Sequence, residues 1–205
     1  MAYYNVSEMR ETLREYPQFQ KRLYCKGFLI TNEKQNVNSE YPFYSNWKEK
    51  QINSYFYMYT HEETYAYTYE KGNIIYFIVG HAYDPYNMLV DENEILEHLA
   101  IAKEKSDEKY WEEESKLTGV FCIGYIIKDE IVYTTDCAGM QLVYHGLINN
   151  MLFITSHGKL VADLKGLEQS EYIKRLTTNK YWHYWGTWLP GDLSPFSELK
   201  RMVPN

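Results

Sequence analysis

Apolar and polar positions repeat with two different periods along this chain, and the switches between them predict its elements. Met9, Leu13, Tyr16 and Leu23 fall near one face of a helix over residues 8–23, with Ser7 placed to cap it. Pro17 sits inside that helix and is expected to split it, because proline removes a backbone donor and crowds the preceding turn. KGFLIT, Lys26 to Thr31, reads as a short buried strand, and the polar residues 32–51 show no period and read as loop. Three strands are predicted next. From Ser54 to Thr60 the pattern alternates, with Tyr55, Tyr57 and Tyr59 on one face and Phe56 and Met58 on the other. His61-Glu62-Glu63 is a turn, and Thr64 to Glu70 alternates again with Tyr65, Tyr67 and Tyr69 together. After a turn at Lys71-Gly72-Asn73, NIIYFIVG is a continuous apolar run, as expected for a central strand.

Asp91 and Glu94 form a D-x-x-E capping box ahead of ILEHLAIAKEK, whose Ile95, Leu99 and Ala102 share a face. Asp107 opens a second short helix through Leu117, with Trp111 pointing inward and EKYWEEESK as a solvated face. From Gly119 the pattern is all strand. VFCIGYII, IVYTT, LVYHG and MLFITS are separated by turns at Lys128-Asp129-Glu130 and Asp136-Cys137-Ala138-Gly139, which predicts an antiparallel meander. Residues 170–186 read as helix, followed by Trp188-Leu189-Pro190-Gly191-Asp192 and a short, partly helical end, SPFSELKRMVPN. No linker, repeat or low-complexity tract interrupts the pattern. It predicts one domain of α+β class over residues 1–205, with two groups of antiparallel strands and helices between them.

Composition narrows the function classes. Lys plus Arg number 21 against 28 Asp plus Glu, a net charge of -7, which argues against nucleic-acid backbones and anionic membrane surfaces. No apolar run approaches the roughly 18 residues of a membrane span and the first twenty residues hold no signal-like core, so a cytoplasmic location is expected. Cys25, Cys122 and Cys137 form no C-x-x-C pair and read as reduced, mostly buried thiols. The 22 tyrosines suit cross-strand ladders under a helix or loop. A binding face is the other reading of those stripes, and it requires Tyr57 and Tyr67 to be open.

Chemistry-bearing motifs are sparse. There is no glycine-rich phosphate loop, no G-x-S-x-G elbow, and no metal-ligand spacing among His61, His81, His98, His145, His157 and His183, so neither cofactor nor metal is indicated. The adjacent Ser156-His157 reads as a strand end and loop, since catalytic Ser–His pairs are assembled by the fold.

Residues 117–145, LTGVFCIGYIIKDEIVYTTDCAGMQLVYH, carry a particular order of features. Gly119-Val120-Phe121-Cys122 opens a strand. Thr135-Asp136-Cys137-Ala138-Gly139 makes the next turn, Leu142-Val143-Tyr144 follows, and Leu152 to Ser156 is the last strand, with His157 behind it. In the tail, Gly186, Pro190, Phe196, Leu199, Lys200, Arg201 and Pro204 keep a matching spacing. This stretch resembles the glutaminase domain of class II glutamine amidotransferases, especially the asparagine synthetase-like branch. The resemblance covers residues 117–205 and reaches the first half loosely. It implies the N-terminal-nucleophile hydrolase fold, a four-layer αββα sandwich of two antiparallel sheets, with residues 1–24 as a helical extension and 187–205 as a tail leading toward a synthetase-like domain.

The resemblance also implies an eroded site. The family uses an N-terminal Cys as nucleophile and its free amine as general base. This chain begins Met1-Ala2-Tyr3, and Cys25 stands at the head of the first matching strand instead. The Asn-Gly pair that supplies oxyanion donors aligns with Val79-Gly80, and the strand with the carboxylate-clamping Arg reads Thr64-Tyr65-Ala66-Tyr67-Thr68. The acidic residue for the substrate amine falls at Glu92, which also lies in the capping box and reads as a cap. Gly80, Glu92 and Asp136 are thus the candidate binding positions. The expected function is a non-catalytic scaffold or partner domain for a synthetase-like, ATP-using domain or protein. The alternative is a glutamine amidotransferase releasing ammonia with Cys25 as nucleophile after propeptide removal. Homo-oligomerisation is left open by either reading.

Overall fold

The computed structural model describes residues 6–185 and 189–204. Met1, Ala2, Tyr3, Gly186, Trp188 and Asn205, named in the sequence readings or lying in the ranges they cover, fall outside the described residues. Helix α1 (Val6–Glu15) ends before Pro17, where a 3-10 helix (Pro17–Arg22) takes over, the break expected of proline. It opens at Val6, so Ser7 lies in its first turn rather than at the cap. The strands are β1 (Phe28–Thr31), β2 (Trp47–Gln51), β3 (Tyr57–His61), β4 (Ala66–Lys71) and β5 (Ile74–Tyr83), then β6 (Thr118–Ile127), β7 (Glu130–Thr135), β8 (Tyr144–Ile148), β9 (Met151–Thr155) and β10 (Lys200–Arg201). Helices α2 (Glu92–Lys105) and α3 (Asp107–Glu114) lie between β5 and β6, and α4 (Gly158–Lys165) and α5 (Glu171–Thr178) follow β9.

The strands form two antiparallel sheets, one of six in the order β10-β8-β9-β1-β3-β2 and one of four in the order β4-β5-β6-β7. Three apolar clusters follow from strand alternation, since successive side chains face opposite sides. Phe28 and Ile30 of β1 and Phe56 and Met58 meet Phe77, Val79, Cys122 and Ile126 of the other sheet, filling the space between the sheets. Leu29 and Tyr59 face the opposite way, onto Leu160, Val161 and Ala162 of α4. Tyr76 and Ile78 of β5 and Phe121 and Ile123 of β6 pack on Ile95, Leu96 and Leu99 of α2 and Tyr110 of α3. The class is therefore α+β with two antiparallel sheets, and the order of clusters is compatible with helix, sheet, sheet and helix layers.

Several sequence expectations are corrected. The segment from Gly119 to Ser156 is not one meander. β6 and β7 belong to the four-stranded sheet, β8 and β9 to the six-stranded one, and the chain changes sheets between Asp136 and Val143. Part of the predicted loop, Trp47 to Gln51, is strand β2; it pairs along β3 at the sheet edge, where four of its five side chains face solvent and no apolar alternation is needed. Residues 158–165, to which the pattern assigns no element, form helix α4, and the partly helical tail holds β10 instead. In α3, Tyr110 is the fully buried residue and Trp111 is only partly covered. The cysteines are all free, but only Cys122 is buried; Cys25 is intermediate and Cys137 exposed. At the D-x-x-E box, the Asp91 side chain accepts from the backbone of Asn93 and Glu94 and so caps α2 as expected.

Candidate functional site

One end of the stacked sheets collects the candidate site residues Cys25, Gly80, Glu92 and Asp136. There β1 begins, β3, β7 and β9 end, and the 61–65 loop carries the chain from the six-stranded sheet into the four-stranded one. The loop is tied to the head of β1: the His61 amide and the Thr64 hydroxyl both donate to the Gly27 carbonyl, at 2.9 and 2.8 Å. Cys25 Sγ donates to Glu63 Oε2 at 3.2 Å. On the other side of the loop, Gly80 N donates to the Tyr65 carbonyl at 2.9 Å, and the Tyr65 ring lies 4.5 Å from that of His81. His81 Nδ1 is 3.0 Å from Glu92 Oε1. Asp136 N donates to the carbonyl of Phe121, the residue that pairs with Gly80 across β5 and β6. Cys25, Gly80, Glu92 and Asp136 are thereby arranged around one loop and one sheet end.

Each is held by partners of its own. Burial raises the Cys25 thiol pKa and the Glu63 carboxylate raises it further, so sulfur stays protonated near neutral pH and is a poor nucleophile. The Cys25 nitrogen is an amide donating to the Arg22 carbonyl at 3.3 Å, in peptide linkage with a buried Tyr24. Val79 is packed between the sheets and has no donor to offer. Glu92 is not the cap it was expected to be; Asp91 caps α2, and the buried Glu92 faces His81. Asp136 is also buried, and its two oxygens accept from Met140 N at 2.9 Å and Gln141 N at 2.7 Å, which ties them into their own turn.

Sequence reading missed three contributors. Glu63 looked like a turn residue, and it is one, since Thr64 N closes the turn onto His61 O; its side chain nevertheless holds Cys25. His81 and Tyr65 gave no signal beyond their strand positions. Their roles arise from contacts between β4, β5 and α2, which no local pattern encodes.

Ser156 and His157 adjoin this end. Phe28 N donates to Ser156 Oγ at 2.9 Å, and Ser156 Oγ lies at hydrogen-bond distance, 2.8 Å, from His157 Nδ1. The pair, expected at a strand end and loop, follows β9, with His157 at the N-cap of α4, and lines a cleft of about 200 Å³ with Tyr144, Lys159 and Phe196. Burial, with His61 nearby, pushes the His157 pKa down to about 4. A folded value below the unfolded one means that stability is fully present above roughly pH 6.5 and is lost as pH falls toward 4. His157→Gln is therefore expected to lose less melting temperature than the parent between pH 7 and pH 5; equal losses in thermal melts would refute this.

The tyrosine stripes are mostly covered. Tyr59 is fully buried and Tyr57, Tyr67 and Tyr69 are partly buried against the two outer clusters, which favours cross-strand ladders over a tyrosine binding face. Tyr55 is exposed, and so is a group near the end of β5: Tyr65, Tyr83, Tyr86, Met88, Val90 and Val120 leave between 45% and 81% of their surface open. A cleft of about 570 Å³ lies elsewhere, between α5 and residues 189–191, lined by Tyr172, Leu176, Trp182 and Pro190. Among the described residues, its one charged lining residue is Arg201, which donates to the Gly191 carbonyl, and no acid–base pair faces it. None of the helices among the described residues is long and apolar enough to cross a membrane. No family model matches the chain, and no curated protein matches it.

Proposed function

We propose that this chain is a glutaminase-like domain of the asparagine synthetase-like kind that performs no glutamine hydrolysis and acts as a scaffold or partner domain for a synthetase-like, ATP-using domain or protein. The observation that carries this reading is the setting of Cys25: its nitrogen is an amide, its thiol is protonated on Glu63, and the residue before it is part of the core. A nucleophile that needs a free amine as base has none here. The missing donor at Val79 and the absence of arginine from β4 remove the oxyanion and carboxylate contacts as well. Two antiparallel sheets with helices against their outer faces are compatible with the N-terminal-nucleophile architecture. The exposed group of Tyr65, Tyr86, Met88 and Val90 is the kind of apolar surface a partner domain would cover. An acidic chain with no basic stripe supports a protein partner over nucleic acid.

Intact mass followed by an ammonia assay tests the reading. A mass starting at Met1 or Ala2, with ammonia from glutamine no higher than the buffer blank, is expected. A mass starting at Cys25, with ammonia release that Cys25→Ala abolishes, would establish the amidotransferase alternative instead.

A further inference from the structure

Just past the end of β5, on its α2 and α3 side, three elements bring metal-ligating atoms together. Asp84 follows β5, His98 is on α2 and Glu113 is on α3, and one ligand atom from each lies within 4.8 Å of the other two. The set is mixed, one imidazole nitrogen and two carboxylate oxygens. Asp84 is only 2% exposed, unlike an ordinary surface carboxylate. Its oxygens accept hydrogen bonds from the Asn87 side chain and from the amides of Asn87 and Tyr86. Those bonds place two donors on Oδ1 and one on Oδ2, so Oδ2 keeps a lone pair. His98 Nε2 is 3.1 Å from Glu113 Oε2, and Lys116 pairs with the other Glu113 oxygen at 2.7 Å. His98 and Glu113, though not Asp84, also line a cleft of about 70 Å³ with Ile101, Ala102, Lys105 and Lys109, room for about two waters.

We propose that Asp84, His98 and Glu113 bind a divalent transition-metal ion of the zinc or cobalt type. One nitrogen and two oxygens suit a borderline ion, whereas a site for magnesium or calcium is built from oxygen alone. Waters from the adjoining cleft complete its coordination. The ion takes the place of the hydrogen bond between His98 and Glu113, and Lys116 stays on the outer Glu113 oxygen. It ties the loop after β5, which carries Tyr86 and Met88, to both helices.

Cobalt(II) is the probe, added to the full chain after chelator treatment. One equivalent is expected to give visible d–d absorption bands and to raise the melting temperature by on the order of 5 °C at a hundredfold excess over Kd. Zinc should displace the bands. His98→Gln and Glu113→Gln, both on partly exposed positions that leave the core intact, are expected to lose the bands and the shift together, and Asp84→Asn to do the same if it folds. Absence of bands and shift at millimolar cobalt overturns the proposal. So does an equal response in parent and both variants, which would place the ion elsewhere, for instance on the exposed Cys137.

Discussion

Tyr24→Ala is expected to destabilise the protein by about 3–5 kcal/mol and to lower its melting temperature by roughly 10 °C. The ring packs in the cluster formed by Leu29, Phe43, Tyr59, Phe153 and α4, and stands edge-on to His157 with centroids 5.4 Å apart. Its hydroxyl donates to Asp163 Oδ2, which also accepts from Tyr41, while Lys159 pairs with Oδ1. The Asp163 side chain has no exposed surface, so removing a donor leaves a buried charge less well satisfied. Burial and the Asp163 charge both push the Tyr24 pKa up, which keeps the hydroxyl a donor. Tyr24→Phe keeps the packing and loses only the hydrogen bond, so it should cost about 1.5–3 kcal/mol. Deleting residues 1–24 should cost at least as much as Tyr24→Ala, because buried Leu13 goes too. The amine that would activate Cys25 is thus created only by taking apart the outer core. Urea unfolding decides the matter: a Tyr24→Ala midpoint close to the parent value would mean the extension is dispensable, and the amidotransferase reading would regain its footing.

Gly80→Ala should be comparably damaging, at about 3 kcal/mol or more, for a backbone reason. Gly80 has φ +109, a region that favours glycine, and an added Cβ would lie 2.2 Å from the Val120 carbonyl oxygen. Neither side can give way easily, since β5 and β6 are the two central strands of the four-stranded sheet and pair along ten residues. Gly166→Ala is the comparison. It also has a positive φ, +67, at the end of α4, but an added Cβ meets nothing within 4 Å. Strain alone should cost about 1 kcal/mol there. Chemical denaturation of both variants separates collision from strain; similar losses would mean that the sheet accommodates a Cβ at Gly80, contrary to this geometry.

Local pattern alone determined the types of most elements and the faces of most strands. Pro17 divides the first helix, Asp91 caps the second, and the alternation of Tyr57, Met58 and Tyr59 separates the two cores that β3 joins. These are legible because a helix period, a cap and a buried face each depend on residues a few positions apart. Tertiary structure alone decided which strands share a sheet. Nothing between Asp136 and Val143 marks the crossing from one sheet to the other, since a turn within a sheet and a passage between sheets use the same residues. Polar β2 is a strand only because β3 offers it an edge. The candidate sites were equally hidden. Cys25 meets Glu63 across 38 positions, and Asp84, His98 and Glu113 converge from a loop and two helices. Charge and donor atoms act through space, so their grouping waits on the packing that hydrophobic periodicity prepares but does not specify.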